Sequence, residues 1–282
     1  MLADLHCHTK LSDGSLGIDD IMTIAAGRGV DVISITDCDC IAGTSRAVRI
    51  GAKRAIKVIP GAELTAFDAE SGRTVYILAY NYSDPSALEK LCYINTKLRT
   101  NAMMRTAKLV SVKYRIPIEL ITECAKGSAG LFEQHVMLAL VHAGFTDSVY
   151  GNLYFRIFNK KSPVSLYAEP EFTPVSEVIT CVHEAGGKAV LARPEWDTDG
   201  SVTARLAGLG LDGVEAFNPS VAEDVSAAVR KAAKEKGLFI TGGSDFRGLF
   251  GKHHVSPGAF ATPEEVAEKL LAERPALLNE ER

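Results

Sequence analysis

The sequence lacks the features that mark several large classes of protein. Its six cysteines are dispersed and include no CxxC pair, which argues against a zinc ribbon or a disulfide framework and favours buried free thiols. No apolar run reaches the roughly 18 residues of a membrane span. The chain begins with a strand-like run and shows no basic segment followed by an apolar one. We therefore expect a cytoplasmic protein with no membrane partner.

An excess of positive charge is also missing. The 282 residues contain 31 Lys and Arg against 35 Asp and Glu, which gives a formal net charge of −4 and argues against a general nucleic-acid-binding surface. A local basic pocket stays compatible with these numbers. The chain has no internal repeat and no low-complexity tract. Its 46% hydrophobic content describes a globular protein with one large core or two smaller ones.

Short β-branched runs alternate with helical stretches along most of the chain. Strands are predicted at 31–37 (DVISITD), 56–64 (IKVIPGAEL), 73–82 (RTVYILAYNY), 187–194 (GKAVLARP), 212–218 (DGVEAFN) and 237–245 (GLFITGGSD). Helical periodicity with a closing glycine lies between several of them. This succession predicts an α/β fold in which a parallel sheet with crossover helices closes into a barrel.

The alternation stops in the middle of the chain. From about residue 85 to 165 the sequence becomes helical and more basic, and then aromatic in VYGNLYFRIF. We interpret this part as a helical insertion that caps the barrel mouth. The predicted organisation is therefore a barrel whose first part is 1–84, an inserted cap subdomain at 85–165, and a second barrel part at 166–282.

The first predicted strand carries two histidines on one face. Side chains alternate along a strand, so Asp4, His6 and His8 face one side of DLHCH, and Leu5 and Cys7 face the other. In such an arrangement the two imidazoles suit a metal ion as ligands, and the carboxylate behind them suits the role of orienting those ligands. A His-x-His pair on a strand is also compatible with ordinary polar surface.

Further acidic residues stand where predicted strands end. Asp13 follows in a turn, Asp37 and Glu63 end successive strands, and Asp245 ends the last one. Each of them alone is compatible with a helix cap. Together they favour a site, because the active site of a parallel α/β barrel gathers at the carboxyl ends of its strands.

Four ordered motifs carry a family resemblance that covers nearly the whole chain. DLHCHTKLSDGS, GVDVISITDCDCIAG, IPGAELTA and GSDF resemble the motifs of the polymerase and histidinol phosphatase (PHP) family of metal-dependent phosphoesterases. The resemblance implies a distorted (β/α)7 barrel with up to three divalent ions, commonly manganese, zinc or iron. It also implies hydrolysis of phosphate esters by metal-activated water.

The resemblance assigns residues to each ion. His6, His8, Glu63 and Asp245 would hold the first ion, with Glu63 and Asp245 as the catalytic carboxylates. Glu63 would bridge to a second ion, for which His135 is the further ligand. Asp13 would belong to a third.

Histidines of the family pattern are replaced at four positions, by Cys38, Tyr76, Arg193 and Arg247. Tyrosine is a poor ligand at neutral pH because its reference pKa is about 10. Cys38 fits a zinc thiolate or a buried thiol. Arginine cannot bind a metal, although its planar fork suits a phosphate. We therefore predict one or two ions rather than three.

The two arginines allow more than one interpretation. We predict that Arg193 and Arg247 bind the phosphate of the substrate. Decay of an unused site, or salt bridges to Asp13 and Asp37, remains an alternative. The predicted partner is a small phosphorylated substrate.

These observations predict a metal-dependent enzyme that hydrolyses a small phosphate ester, either a nucleotide, a sugar phosphate or a cyclic phosphodiester. The alternative is a catalytically reduced PHP-like protein that binds a phosphorylated ligand without turnover. The number of bound ions distinguishes the two. A metallo-amidohydrolase is disfavoured because the context of a carboxylated lysine is missing.

Overall fold

The structure is a computed structural model that describes residues 1–275. The chain forms two compact units. The first comprises Met1–Tyr93 together with the residues from Phe172 onward, and the second is Ile94–Glu171. The division at 85 and 165 that the sequence suggests, and the role of the inserted part as a cap, stay predictions.

The strands of the first unit form two sheets. In the described residues they are β1 (Ala3–Cys7), β2 (Val32–Ile35), β3 (Lys57–Val58), β4 (Gly61–Asp68), β5 (Arg73–Tyr80), β6 (Lys188–Leu191), β7 (Gly213–Phe217) and β8 (Phe239–Gly242). A three-stranded sheet has the order β1-β2-β3, and a five-stranded sheet has the order β4-β5-β6-β7-β8.

Strand direction departs from the predicted parallel barrel. The three-stranded sheet is parallel, and so are β6, β7 and β8. However, β4 turns back directly into β5, and the two pair antiparallel from Gly61–Tyr80 to Asp68–Arg73. β5 also pairs antiparallel with β6. A mixed α/β fold is therefore confirmed.

The closed barrel is not confirmed, because the ladders between the two sheets are interrupted. The end of β1 meets the residues after β8 through one isolated bridge, Cys7–Phe246, and the residues after β2 meet β4 through another, Cys38–Glu63. The strands are therefore laid out as two sheets, with one isolated bridge at each junction between them. These two bridges lie next to predicted site residues.

The helices of the described residues are α1 (Ile18–Gly27), α2 (Thr44–Lys53), α3 (Ser86–Tyr114), α4 (Ile118–Cys124), α5 (Glu133–His142), α6 (Asn152–Phe158), α7 (Val175–Glu184), α8 (Ser201–Ala207), α9 (Glu223–Lys236) and α10 (Glu264–Ala272). A short 3-10 turn follows β8 at Gly248–Phe250. None of these helices is both long and apolar enough to cross a membrane.

Helix α9 shows how local sequence sets the helix bounds. Glu223 and Asp224 lie in its first turn, and Lys234 and Lys236 lie in its last turn, so both pairs complement the helix dipole. Gly237 ends the helix with φ 70°, a left-handed conformation that glycine adopts without steric cost.

Apolar residues of both sheets form one buried cluster in the first unit. Leu5 of β1, Leu78 and Tyr80 of β5, and Val190 of β6 belong to it, and α10 adds Leu270. Tyr80 is fully buried, and its hydroxyl donates a 2.8 Å hydrogen bond to the carbonyl of Leu5. This hydrogen bond links the five-stranded sheet to β1, the strand that carries His6.

The second unit has its own apolar core. Residues of α3, α4, α5 and α6 contribute Val110, Ile121, Val136, Leu140 and Ile157. All five side chains are buried. This core is what makes the inserted helices a compact unit.

Substituting Tyr80→Phe tests the hydrogen bond between the sheets. We expect the free energy of unfolding to fall by about 1–3 kcal/mol, because the carbonyl of Leu5 loses a buried donor. Urea denaturation measures this change. Tyr93→Phe is the control, since the Tyr93 side chain is 67% exposed. An equal loss of stability in both variants would contradict a stabilising role of the Tyr80 hydroxyl.

Candidate metal centre

Two buried histidines at the end of β1 point at the same place. His6 lies in the strand and His8 follows it, and both are 0% exposed. Their Nε2 atoms are 2.9 Å apart. The pair is therefore not polar surface, which was the alternative interpretation of the His-x-His motif.

Two carboxylates from other strands reach the same point. Glu63 of β4 places Oε1 3.3 Å from His6 Nε2. Asp245, in the loop after β8, places Oδ1 3.4 Å from His6 Nε2 and 3.3 Å from His8 Nε2. The structure thus brings together four side chains from three parts of the sequence that lie far apart. We call these four residues the His-carboxylate cluster.

The donor atoms of this cluster fit a divalent ion. Nitrogen and oxygen atoms of His6, His8 and Glu63 that could ligate one ion all lie within 4.8 Å of one another. Glu63 Oε2 and Asp245 Oδ1 are buried and accept no hydrogen bond from the described residues. Imidazole and carboxylate ligands suit manganese, iron and zinc alike, so the chemistry of the site leaves the metal open.

A carboxylate that sequence reasoning missed holds His6 in place. Glu215 of β7 is fully buried and places Oε1 2.8 Å and Oε2 3.0 Å from His6 Nδ1. Its Oε2 also accepts the backbone N–H of Arg193 and the side-chain amide of Asn218. A carboxylate on Nδ1 directs the lone pair of Nε2 toward a metal.

The expectation that Asp4 would orient the histidines is wrong. Asp4 Oδ1 accepts the backbone N–H groups of His6 and Ser244, and Oδ2 accepts that of Gly258. Asp4 therefore fixes the backbone around the site and not the imidazole rings. The sequence signal for Glu215 was an acidic residue inside the apolar strand DGVEAFN.

The loop after β8 packs unusually close to His6. A Cβ added at Gly243 would lie 2.3 Å from the His6 Cβ, so only glycine fits there. Two residues further on, Asp245 has φ 50°, and Arg193 after β6 has φ 31°. Non-glycine residues in this region are strained, and such strain clusters at functional sites.

Arg247 lies inside the predicted site and is 7% exposed. Its Nη2 is 2.9 Å from Asp245 Oδ1 and 2.9 Å from His8 Nε2, and its Nε is 3.3 Å from Asp13 Oδ2. Asp13 Oδ1 in turn lies 3.0 Å from His8 Nδ1. The arginine therefore pairs with Asp13, as the salt-bridge alternative anticipated, whereas Asp37 accepts hydrogen bonds from Thr9 and from Ser12.

Arg193 approaches the cluster from the end of β6. Its Nη1 donates to Glu63 Oε1 at 2.5 Å and lies 3.5 Å from Asp245 Oδ2. Its guanidinium carbon is 4.3 Å from the centre of the Tyr76 ring, which is a cation–π distance. Two of the replaced histidine positions, Tyr76 and Arg193, are thus in direct contact.

Charges in this cluster shift the pKa values of its members. Burial alone would raise the pKa of Glu63, but Arg193 and the two histidines lower it to about 2. Burial would lower the pKa of His6, but the carboxylates of Glu215 and Asp245 raise it to about 10. The surroundings of His6 therefore favour a positive charge, which either a proton or a metal ion supplies.

The other predicted ligands stand in different surroundings. His135 lies in α5 of the second unit, where its Nδ1 accepts the backbone N–H of Phe132 at 3.2 Å. In the neutral ring this leaves the proton on Nε2, which disfavours ligation through that atom. Cys38 is buried, and its Sγ lies 3.6 Å from Thr65 Oγ1. The metal-binding role of His135 stays a prediction.

Comparisons with known proteins identify relatives over most of the chain. The family model described as PHP domain matches residues 4–161. A phosphoribosyl 1,2-cyclic phosphate 1,2-diphosphodiesterase of Eggerthella lenta is 32% identical over 254 residues, which are 89% of this chain and 96% of that protein. A 5'-3' exoribonuclease of Haemophilus influenzae is 26% identical over 253 residues, with 86% of this chain and 89% of that protein covered.

A solved structure shares the fold. It is a crystal structure from Bifidobacterium adolescentis of a protein inferred to be a metal-dependent phosphoesterase, with a TM-score of 0.87 and 24% identity. The match covers 99% of this chain and 98% of that chain. At this level of identity the likeness concerns the fold alone.

Substituting Glu215→Gln tests whether this carboxylate orients His6. We expect Mn²⁺ affinity to fall about 10- to 100-fold, because the neutral amide has one accepting oxygen in place of two for His6 Nδ1–H, Arg193 N–H and the Asn218 amide, and it lacks the negative charge that holds the His6 ring. Isothermal titration calorimetry measures the affinity. The control is Glu235→Gln on the exposed side of α9, which should bind as the wild type does. Unchanged Mn²⁺ affinity in the Glu215 variant would refute the orienting role.

Proposed function

The chain belongs to the PHP domain family, and on that premise we propose that it is a metal-dependent hydrolase of small phosphate esters. The observation that carries the proposal is the His-carboxylate cluster, in which two imidazoles and two carboxylates converge in a buried position. Two imidazole nitrogens 2.9 Å apart between two carboxylates form the kind of donor set that holds a divalent ion.

Each residue of the site has a proposed role. His6, His8, Glu63 and Asp245 hold a divalent ion, which when bound lowers the pKa of a water molecule and offsets charge on the phosphoryl group. Glu215 keeps the His6 ring in the ligating orientation. This donor set fits manganese, zinc or iron, and Asp13 remains a candidate ligand of a second ion.

Arg193 and Arg247 are the proposed phosphate-binding residues. Both guanidinium groups lie against the cluster, and their planar forks match the oxygen geometry of a phosphate. Fixed positive charges at this position stabilise the charge that develops on the phosphoryl oxygens during transfer.

The Eggerthella relative suggests the class of ester to test first. Its substrate is a cyclic phosphate on a phosphoribosyl group, so we propose a sugar-linked cyclic phosphodiester or sugar phosphate as the leading class. The Haemophilus relative degrades RNA, so a short RNA is included among the substrates to be tested. The net charge of −4 favours a small substrate over a long nucleic acid.

One observation favours a second candidate function. Arg247 pairs with Asp13, a residue of the predicted third ion site, and thereby removes a ligand from that site. A PHP-like protein that binds a phosphorylated ligand without turnover would use its arginines in this way. The two functions differ in turnover and in metal content.

Metal content and phosphate release test the proposed hydrolysis. Protein purified without chelator should contain about one equivalent of metal by elemental analysis and should hydrolyse at least one compound among cyclic phosphodiesters, sugar phosphates, nucleotides and a short RNA. Replacing a ligand by His6→Ala or Asp245→Asn should reduce turnover by at least about 100-fold, since removal of one catalytic interaction typically costs that much.

His183→Ala is the matched control, because this histidine is on α7, is 40% exposed and pairs with Asp212. It should retain full turnover. Metal below a tenth of an equivalent, together with no turnover after Mn²⁺ is added, would refute hydrolysis and support the binding protein.

A further inference from the structure

The two arginines contact the His-carboxylate cluster in different ways. Arg193 donates to Glu63 Oε1, the oxygen that lies 3.3 Å from His6 Nε2, and lies near Asp245 Oδ2. The other oxygen of each carboxylate, Oε2 and Oδ1, accepts no hydrogen bond from the described residues. Its guanidinium also rests on the Tyr76 ring. Arg193 therefore holds each carboxylate through one oxygen and leaves the other oxygen available to an ion.

Arg247 instead contacts the ligating atoms themselves. Its Nη2 lies 2.9 Å from His8 Nε2 and 2.9 Å from Asp245 Oδ1, and 3.6 Å from Glu63 Oε2. These are three of the atoms that would face a metal ion. Because a guanidinium is always protonated, it cannot share a lone pair with the ion and it repels a second cation. Arg247 and a divalent ion therefore compete for the same atoms.

A phosphate resolves this competition. A phosphate group can bind a metal ion and a guanidinium at the same time. If the ion binds His8 Nε2 and Asp245 Oδ1, a phosphate therefore gives Arg247 new acceptors in their place. Arg247 keeps a second contact at Asp13, through Nε, which anchors the side chain while its Nη2 changes partner. Because the site is buried, the repulsion between Arg247 and the ion and the attraction of both to a phosphate are stronger than they would be in water.

We propose that a divalent ion and a phosphate group bind to this site as a mutually dependent pair, with Arg247 as the residue that couples them. The proposal rests on the proposed function, since it concerns the same site. It assigns the two arginines opposite effects on the ion: Arg247 opposes ion binding until phosphate is present, and Arg193 supports it by positioning Glu63 and Asp245.

Calorimetric titration of the wild-type protein tests the coupling directly. Mn²⁺ is titrated in the absence and in the presence of saturating inorganic phosphate. We expect phosphate to increase Mn²⁺ affinity at least about tenfold, and Mn²⁺ to increase phosphate affinity by the same factor, because such coupling is reciprocal. Mn²⁺ affinity that is the same with and without phosphate would overturn the proposal.

Two matched variants separate the arginines. Arg247→Met should increase Mn²⁺ affinity without phosphate by about tenfold and abolish the effect of phosphate. Arg193→Met should lower Mn²⁺ affinity and keep that effect. Weaker Mn²⁺ binding in both variants would overturn the assigned roles. If Arg247→Met does not fold, Arg247→Lys retains the charge and should retain part of the coupling, and the wild-type titration decides alone.

These titrations do not depend on turnover. Coupled binding without hydrolysis of any tested ester would leave this proposal standing and refute the proposed function. Hydrolysis, together with an Mn²⁺ affinity that phosphate does not change, would refute this proposal and leave the proposed function standing. The two results are obtained from the same protein preparation.

Discussion

Neutralisation of buried negative charge is the constraint on which the rest of this site depends. Asp13, Glu63 and Asp245 approach one another where little water reaches them, and buried charges without partners are costly. Arg193 and Arg247 supply two permanent positive charges at hydrogen-bonding distance. The two arginines therefore offset part of this negative charge, and the carboxylates that remain, Glu215 among them, favour a further positive charge at His6.

The architecture explains how these charges come together. Parallel strands bring the residues after β1, β6 and β8 to one edge, and the antiparallel hairpin of β4 and β5 brings Glu63 to the same edge. At the two junctions between the sheets, the isolated bridges Cys7–Phe246 and Cys38–Glu63 stand in place of full ladders. The interrupted pairing leaves room for side chains to converge between the sheets.

Much of this site could be predicted from the sequence, because its signals are local. His6 lies in β1 and His8 follows it, and Glu63 and Asp245 stand at the ends of apolar runs in the sequence, so alternation along the first strand and the strand ends together indicated one edge. Glu215 was missed because its partner His6 is 209 residues away, and a local pattern does not contain that contact. The direction of β5 was missed for the same reason, since antiparallel pairing with β4 and β6 depends on tertiary packing. The arginines were recognised as replacements, but their partners depend on side-chain geometry.

The contact between Arg247 and His8 joins residues 239 positions apart in the sequence. During synthesis, β1 leaves the ribosome long before β8 exists, and the Gly243 loop that packs on His6 is made later still. The nascent chain thus carries two adjacent histidines and an acidic strand end with no guanidinium to neutralise them. Until the last strand docks, Arg247 cannot contact these groups, and contacts of such long range form slowly. A metal ion that bound His6 and His8 in the nascent chain would meet the guanidinium of Arg247 only when the last strand docks.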